Sequence, residues 1–326
     1  MAPRWVWGVA AAVAAAVVAA VLLVAVHGGV GSSASSGAPC VSLGVEYNTH
    51  ATAAWIALHD HLFRRFGLRV CRVVEFRTGL ELAAAMSRGE VDVAWACIAP
   101  VFKMIANRGM RVVIVAGAHF YGYGCVGRPG VDSVEDLVRL GHPRVAVTGP
   151  GTPVHLLLLA AEERWHFNAS VVYAKPPAIL ALVEKGAVDA ACLPEPLLSV
   201  AAARGLHILF TAQQVWPYMP GSYLVALRGF AERHPDVICR LWRLERYATE
   251  EIYRNMTRAA VIDAEYLHLP LRVVEASLHR MLFTWRVNVT ALQQMADFMY
   301  EHHLLKRRLN VSELVFPVDR LCGGGG

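Results

Sequence analysis

Charge is scarce at the front of this chain. No lysine or arginine lies between Arg4 and Arg64, and Trp5–Val26 carries no charged residue at all. That uncharged run is long enough to cross a bilayer, which takes about 20 apolar residues. It is also longer than the usual apolar core of a cleaved signal peptide. Residues 1–27 are therefore read as a transmembrane anchor or signal peptide, with the N-terminus inside and the remainder outside. Chemistry-bearing motifs are missing too. The seven cysteines are scattered without C-x-x-C or Cys/His ligand spacing, which argues against a structural zinc site. The 14 histidines form no H-E-x-x-H, and there is no Gly-x-Ser-x-Gly elbow, no P-loop and no Gly-x-Gly-x-x-Gly opening a helix. Nothing in the sequence suggests a nucleophile–base constellation or a cofactor. The net charge of +5 is dispersed, without a basic run interleaved by aromatics, so nucleic acid is a poor partner.

What is present points to export. The 56% hydrophobic content and mean hydropathy of +0.40 are high for a soluble chain, and the excess sits largely at the front. Residues 28–40 form a Gly/Ser-rich tether. Four Asn-x-Ser/Thr triplets, at Asn168, Asn255, Asn288 and Asn310, are glycosylation candidates in an extracytoplasmic setting. An oxidising compartment permits disulfides, but an odd cysteine count leaves at least one thiol over, and the pairing is open.

One phrase occurs twice. Residues 83–94 read AAAMSRGEVDVA and residues 180–191 read LALVEKGAVDAA, with Gly89 and Gly186 in register and Asp92 with Asp189. Each copy is an apolar-periodic helix stopped by glycine and followed by a short strand. Elsewhere strands alternate with helices of 8–15 residues, the signature of βαβ units and a parallel sheet. Helices are expected at 52–66, 79–88, 100–107, 133–140, 154–165, 178–185 and 196–204. The stretch beyond Leu227 is expected to be helical to about residue 309. Two similar lobes follow: one from 41–119 and 222–322, the other from 120–221, which includes both crossings.

Ligands of open α/β sheets bind outside the carboxyl ends of the strands. In the first lobe that edge offers Tyr47, Asn48, Thr49 and His50, then Arg77-Thr78-Gly79, then Cys97-Ile98. In the second it offers Thr148–Pro153, where Thr152 suits an N-cap and Gly151 sits at a helix start able to seat an anion. It also offers Leu193-Pro194-Glu195-Pro196. Each of these has a plainer reading as a loop or cap residue. His119, Phe120, Tyr121 and Tyr123 fall at the first crossing, as cleft wall or hinge packing. The C-terminal aromatics Trp242, Tyr247, Tyr253, Trp285, Phe298 and Tyr300 recur at helical spacing and are read as core.

The order of these elements resembles a family. G-E-V-D-V-A-W-A, D-S-V-E-D-L (132–137), R-V-A-V-T-G-P-G-T (144–152) and K-G-A-V-D-A-A-C-L-P-E-P (185–196) look like the substrate-binding proteins of ABC importers in the nitrate/sulfonate/taurine group. Thiamine-pyrimidine-precursor binders and synthases are similar in fold. The resemblance implies an α/β, two-lobed periplasmic binding protein type II fold with two interlobe crossings and a helical C-terminal part. It implies a ligand held by Gly151, Thr152, Glu195, Pro196 and the loop after the first strand. It further implies a monomeric, non-enzymatic receptor that closes on a small polar solute and serves an ABC permease, contacting the membrane through its N-terminal segment. The alternative is a pyrimidine binder or a same-fold pyrimidine synthase, whose cysteine-rich motif is absent, with Cys97 alone in its vicinity.

Overall fold

A computed structural model describes residues 39–323. The expected anchor and most of the tether lie outside the described residues. Two five-stranded sheets organise the rest. The first contains β1 (Cys40–Glu46), β2 (Arg69–Phe76), β3 (Val93–Cys97), β4 (Val112–Gly117) and, returning from far along the chain, β11 (Ser222–Leu227). Their order is β2-β1-β3-β11-β4. The helices that intervene are α1 (Thr52–His59), α2 (Leu62–Arg65), α3 (Gly79–Ser87) and α4 (Ile98–Arg108).

A short β5 (His119–Tyr121) leads across to the second sheet. There β6 (Tyr123–Gly127), α5 (Val134–Arg139), β7 (Arg144–Val147), α6 (Pro153–Trp165), β8 (Ser170–Tyr173), α7 (Pro176–Glu184), β9 (Ala190–Pro194), α8 (Leu197–Ala203) and β10 (Ile208–Thr211) follow in sequence. The strand order is β10-β6-β9-β7-β8. A single turn of helix, α9 (Ala212–Val215), starts the way back.

The repeated phrase has a mechanical role that is the same in both lobes. Gly89 and Gly186 take φ of +75° and +67°, the left-handed turn that ends a helix and that glycine adopts without steric cost. Three residues on, Asp92 and Asp189 each tie the starts of two parallel strands to the end of their antiparallel neighbour. The Asp92 carboxylate accepts from Ser42 N–H at 2.9 Å, and that of Asp189 from Arg144 N–H at 2.8 Å. Their backbone carbonyls accept from Leu227 and Arg128, one on each antiparallel neighbour. The two sheets are thus pinned alike at the edge opposite the cleft.

After β11 come α10 (Arg228–Arg233), the long α11 (Pro235–Arg254), α12 (Met256–Leu267), α13 (Leu271–Leu278), β12 (Met281–Phe283), α14 (Val289–Glu301) and α15 (Val318–Leu321). No helix among the described residues is long and apolar enough to cross a membrane. Three expectations need correcting. The helix expected over 52–66 breaks at His61, which takes a left-handed φ of +53°. The C-terminal stretch is not purely helical: β12 pairs antiparallel with β5, because a crossing strand exposes backbone groups that require partners. Among the C-terminal aromatics Trp242 is core, whereas Tyr253 is 53% exposed, with its hydroxyl donating to Phe283 O at 2.8 Å.

The sheet edges facing each other are drawn together by the C-terminal part. One apolar cluster runs from α3 and α4 through α14 to α6 and β9 of the other lobe. Polar ties join it: Lys103 Nζ donates to Pro150 O at 2.7 Å, and His302 Nε2 lies 2.9 Å from Glu163. Two disulfides, Cys40–Cys71 and Cys239–Cys322, fasten the first lobe, leaving Cys97, Cys125 and Cys192 as buried free thiols.

Candidate functional site

Two cavities that share Asn48, Arg77, Thr78, Pro176 and Pro194 lie between the strand ends of the two lobes. The inner one, of about 50 Å³, is lined by Glu46, His50, Gly79, Cys97 and Tyr123 on one side and Thr148, Thr152, Pro153 and Val154 on the other. It has room for a few waters or a compact oxyanion. The outer one, of about 390 Å³, adds Tyr47, Glu81, Lys175, the prolines 177 and 196, and Leu197, Leu267 and Leu269.

Four helices begin at the inner cavity, supplying Gly79, Pro100, Pro153 and Pro176 to its wall. Helix starts leave backbone N–H groups unpaired and carry a partial positive charge. The N–H groups of Gly79 and Leu80, on one side, and of Val154, on the other, take no partner among the described residues. Arg77 at the mouth forms no ion pair among the described residues, and its guanidinium stacks over Tyr47 at 5.5 Å. Such an arrangement favours a negative or strongly electron-rich group.

One group runs against that field. Glu46, the last residue of β1, is only 3% exposed. Its Oε1 accepts from Cys97 N–H at 2.7 Å, and its Oε2 accepts from Asn48 Nδ2 at 3.2 Å and from the Cys97 thiol at 3.3 Å. Burial pushes its pKa above the ordinary carboxyl value, and the bonds from Cys97 and Asn48 work against that rise. Burial also lifts the Cys97 thiol well above its usual range and holds His50 down to about 4, so its ring is neutral. His50 Nε2 lies 3.2 Å from Gly122 O, and its Nδ1 faces Cys97 Sγ at 3.8 Å.

Residues 34–264 match the NMT1-like family. The chain belongs to that family. Among curated relatives, this NMT1-like chain is 25% identical over 209 residues to the taurine-binding periplasmic protein of Escherichia coli K12, covering 62% of this chain and 63% of that one. It is 27% identical over 156 residues to a putative aliphatic sulfonates-binding protein of Bacillus subtilis 168, covering 45% and 46%. The chain therefore spans less than two thirds of either relative. A solved ligand-binding component of an ABC-type import system from Staphylococcus aureus, with zinc bound, superposes with a TM-score of 0.77 at 16% identity, over 88% of this chain and 98% of that one. The expected α/β periplasmic binding protein architecture stands on that likeness.

Within this NMT1-like fold the expected site residues divide. Asn48, His50, Thr78, Cys97 and Thr152 line the inner cavity, and Tyr47, Glu195 and Pro196 the outer. Thr49 is buried against Ser277, with the two hydroxyls 2.7 Å apart. Ile98 is core, and His119 accepts from Ser222 N–H at 3.1 Å beneath the cavity. Tyr121 lies at the crossing, where its hydroxyl accepts from Tyr218 N–H at 3.0 Å. The Gly151 N–H donates to His155 Nδ1 at 3.2 Å and does not line the cleft. Thr152 occupies the N-cap position, but its hydroxyl donates to Gly149 O at 2.7 Å and caps no helical N–H. Glu195 is fully buried, its carboxylate accepting from Ser199 N–H, the Ser199 hydroxyl and Arg280.

Glu46 is a cavity residue absent from the expected set, and Tyr123, expected as cleft wall or hinge packing, lines the inner cavity. The available signal for Glu46 was an acid closing an otherwise apolar strand. All four glycosylation candidates are exposed, and Asn255 and Asn288 also cap α12 and α14.

Proposed function

We propose that this protein is the extracytoplasmic solute-binding component of an ABC importer, and that its solute is a short aliphatic sulfonate. The observation that carries the reading is the convergence of unpartnered helix-start amides from both lobes on one small cavity, beside an Arg77 without an acid partner. A sulfonate head would sit in the inner cavity, and its carbon tail in the outer one, walled by four prolines and three leucines. The names of the taurine- and sulfonate-binding relatives support the same class. Recognition of an amine by Glu195 loses support, because that carboxylate already faces Arg280 at 3.2 Å.

The solute is bound and released unchanged, handed to a membrane permease. The two disulfides are consistent with an oxidising compartment outside the cytoplasm. The uncharged N-terminal run and its tether would hold the receptor near that permease.

Thermal shift of the full chain tests this, against taurine, linear alkanesulfonates, nitrate and pyrimidine precursors. A true ligand at 100 times its Kd stabilises by about 2.7 kcal/mol. Arg77→Ala removes a charge-assisted contact and should weaken binding roughly 10- to 100-fold. Silence from every sulfonate, unchanged affinity in Arg77→Ala, or chemical conversion of the ligand would each overturn the proposal.

A further inference from the structure

We propose that Glu46, His50 and Cys97 bind a thiolate-preferring divalent cation, zinc in the first instance, on the inner wall of the cleft, with one coordination position left open to the cavity. Their ligating atoms all lie within 4.8 Å of one another. Cys97 Sγ stands 3.3 Å from Glu46 Oε2 and 3.8 Å from His50 Nδ1. A tetrahedral zinc with bonds of about 2.0–2.3 Å sets its ligand atoms roughly 3.3–3.7 Å apart. The three groups are therefore close to the spacing a metal requires. Three protein ligands with a fourth position free is the pattern of a zinc that meets a small molecule.

The surroundings orient these ligands. Gly122 O can accept only from a protonated Nε2, which leaves the His50 Nδ1 lone pair aimed at Cys97. A metal-bound histidine ordinarily has such a carbonyl partner on its other nitrogen. Cys97 N–H and Asn48 hold the Glu46 carboxylate in place. The start of α3 passes so near that a Cβ on Gly79 would lie 2.8 Å from Glu46 Oε1 and 3.2 Å from Cys97 Cβ. No lysine or arginine forms an ion pair with Glu46 among the described residues. An isolated buried charge is costly, and a cation in this position would answer it. On binding, the Cys97 thiol gives its proton to solvent and the metal takes the thiolate. With a carboxylate and a neutral imidazole, the two negative charges balance the dication. A sulfonate oxygen could then take the open position without facing a bare carboxylate, a step that rests on the solute proposed above. The metal itself needs no solute. The zinc in the staphylococcal crystal has no bearing on this, since a likeness at 16% identity concerns the fold alone.

The test uses the full chain, stripped with a chelator and titrated with Co²⁺, with Zn²⁺ as competitor. One Co²⁺ per chain should produce thiolate-to-cobalt charge-transfer absorption that Zn²⁺ abolishes. Cys97→Ser should remove that absorption, and Cys125→Ser and Cys192→Ser should keep it. His50→Gln and Glu46→Gln should each weaken binding at least tenfold, and they serve if Cys97→Ser fails to fold by circular dichroism. Absence of a thiolate band, or a band that survives Cys97→Ser, overturns the proposal. Sulfonate binding is scored separately by thermal shift, so a metal signal without a sulfonate response would sink the solute reading and leave the metal site standing.

Discussion

Arg280→Ala should loosen the two lobes and make the loss depend on pH. Arg280 follows α13 of the first lobe, and its Nη1 donates to Glu195 at 3.2 Å and to the Ser199 hydroxyl at 2.7 Å in the second. Its own carbonyl accepts from Gly122 N–H in the first crossing and from Gln213 Nε2 in the second. One residue thus touches both crossings and the far lobe. Removing the partner of a buried charge costs about 3–5 kcal/mol. Glu195 keeps its two Ser199 bonds, so about 3 kcal/mol is the expected loss, a fall of roughly 5 °C in Tm for a unit of this size. Burial raises the Glu195 pKa above its ordinary 4.5, and Arg280 opposes that rise. Without Arg280 the rise grows. A raised carboxyl costs stability as pH climbs above the unfolded value, so the gap between wild type and variant should widen as pH rises past the wild-type carboxyl's own raised value, above 4.5, and narrow below it. Chemical denaturation at several pH values reads this directly. Equal stability at neutral pH, or a gap that widens in acid, would refute the reasoning.

Two further outcomes follow from buried groups away from the cleft. Glu245 is fully buried on α11, accepts from Trp95 Nε1 at 2.6 Å, and is pushed by burial up to about 8. Its cost to folding grows from pH 4.5 to 8 and reaches at most about 5 kcal/mol. Glu245→Gln should therefore match wild type at about pH 4.5 and exceed it increasingly up to about pH 8, and identical denaturation midpoints at pH 9 would contradict this. Cys239 and Cys322 are 83 residues apart, and their bridge restrains the unfolded chain by about 4 kcal/mol in the loop-entropy account. Cys239→Ser should lower unfolding free energy on that scale, and a change below 1 kcal/mol would mean the bridge does little.

Much of the framework was legible because it obeys period and punctuation. The Gly89/Asp92 and Gly186/Asp189 phrases marked the helix–strand junctions of both lobes, and Phe120–Gly124 marked the first crossing. The cleft was legible as a place and much less so as a set of contacts. A strand end reveals which residues can face a cleft, but a side chain's partner is decided by elements distant in sequence. Glu195 looked like a ligand group until Arg280, 85 positions away, was found beside it. Gly151 looked like an anion seat until His155, one turn on, took its N–H. In sequence Glu46 is only an acid between an apolar strand and a polar loop, and its importance arises only where Cys97 and His50 meet it. The strand β12 had no periodic signal, since its need arises from β5 and not from its own three residues.

The matching Asp92 and Asp189 anchors also bear on how much change the two halves of this fold tolerate. Each sheet is secured at the starts of its parallel strands, and most of the cavity-lining loops hang from the other end. Replacing a loop tip leaves the anchorage untouched, so one jaw can be recut while its partner keeps its grip. The soft-ligand cluster sits on the first jaw alone: Glu46 and Cys97 end its strands, whereas Thr148 follows β7 and Pro194 ends β9. Twin scaffolds with unlike tips let one chain present different chemistry from its two sides to whatever lies between them.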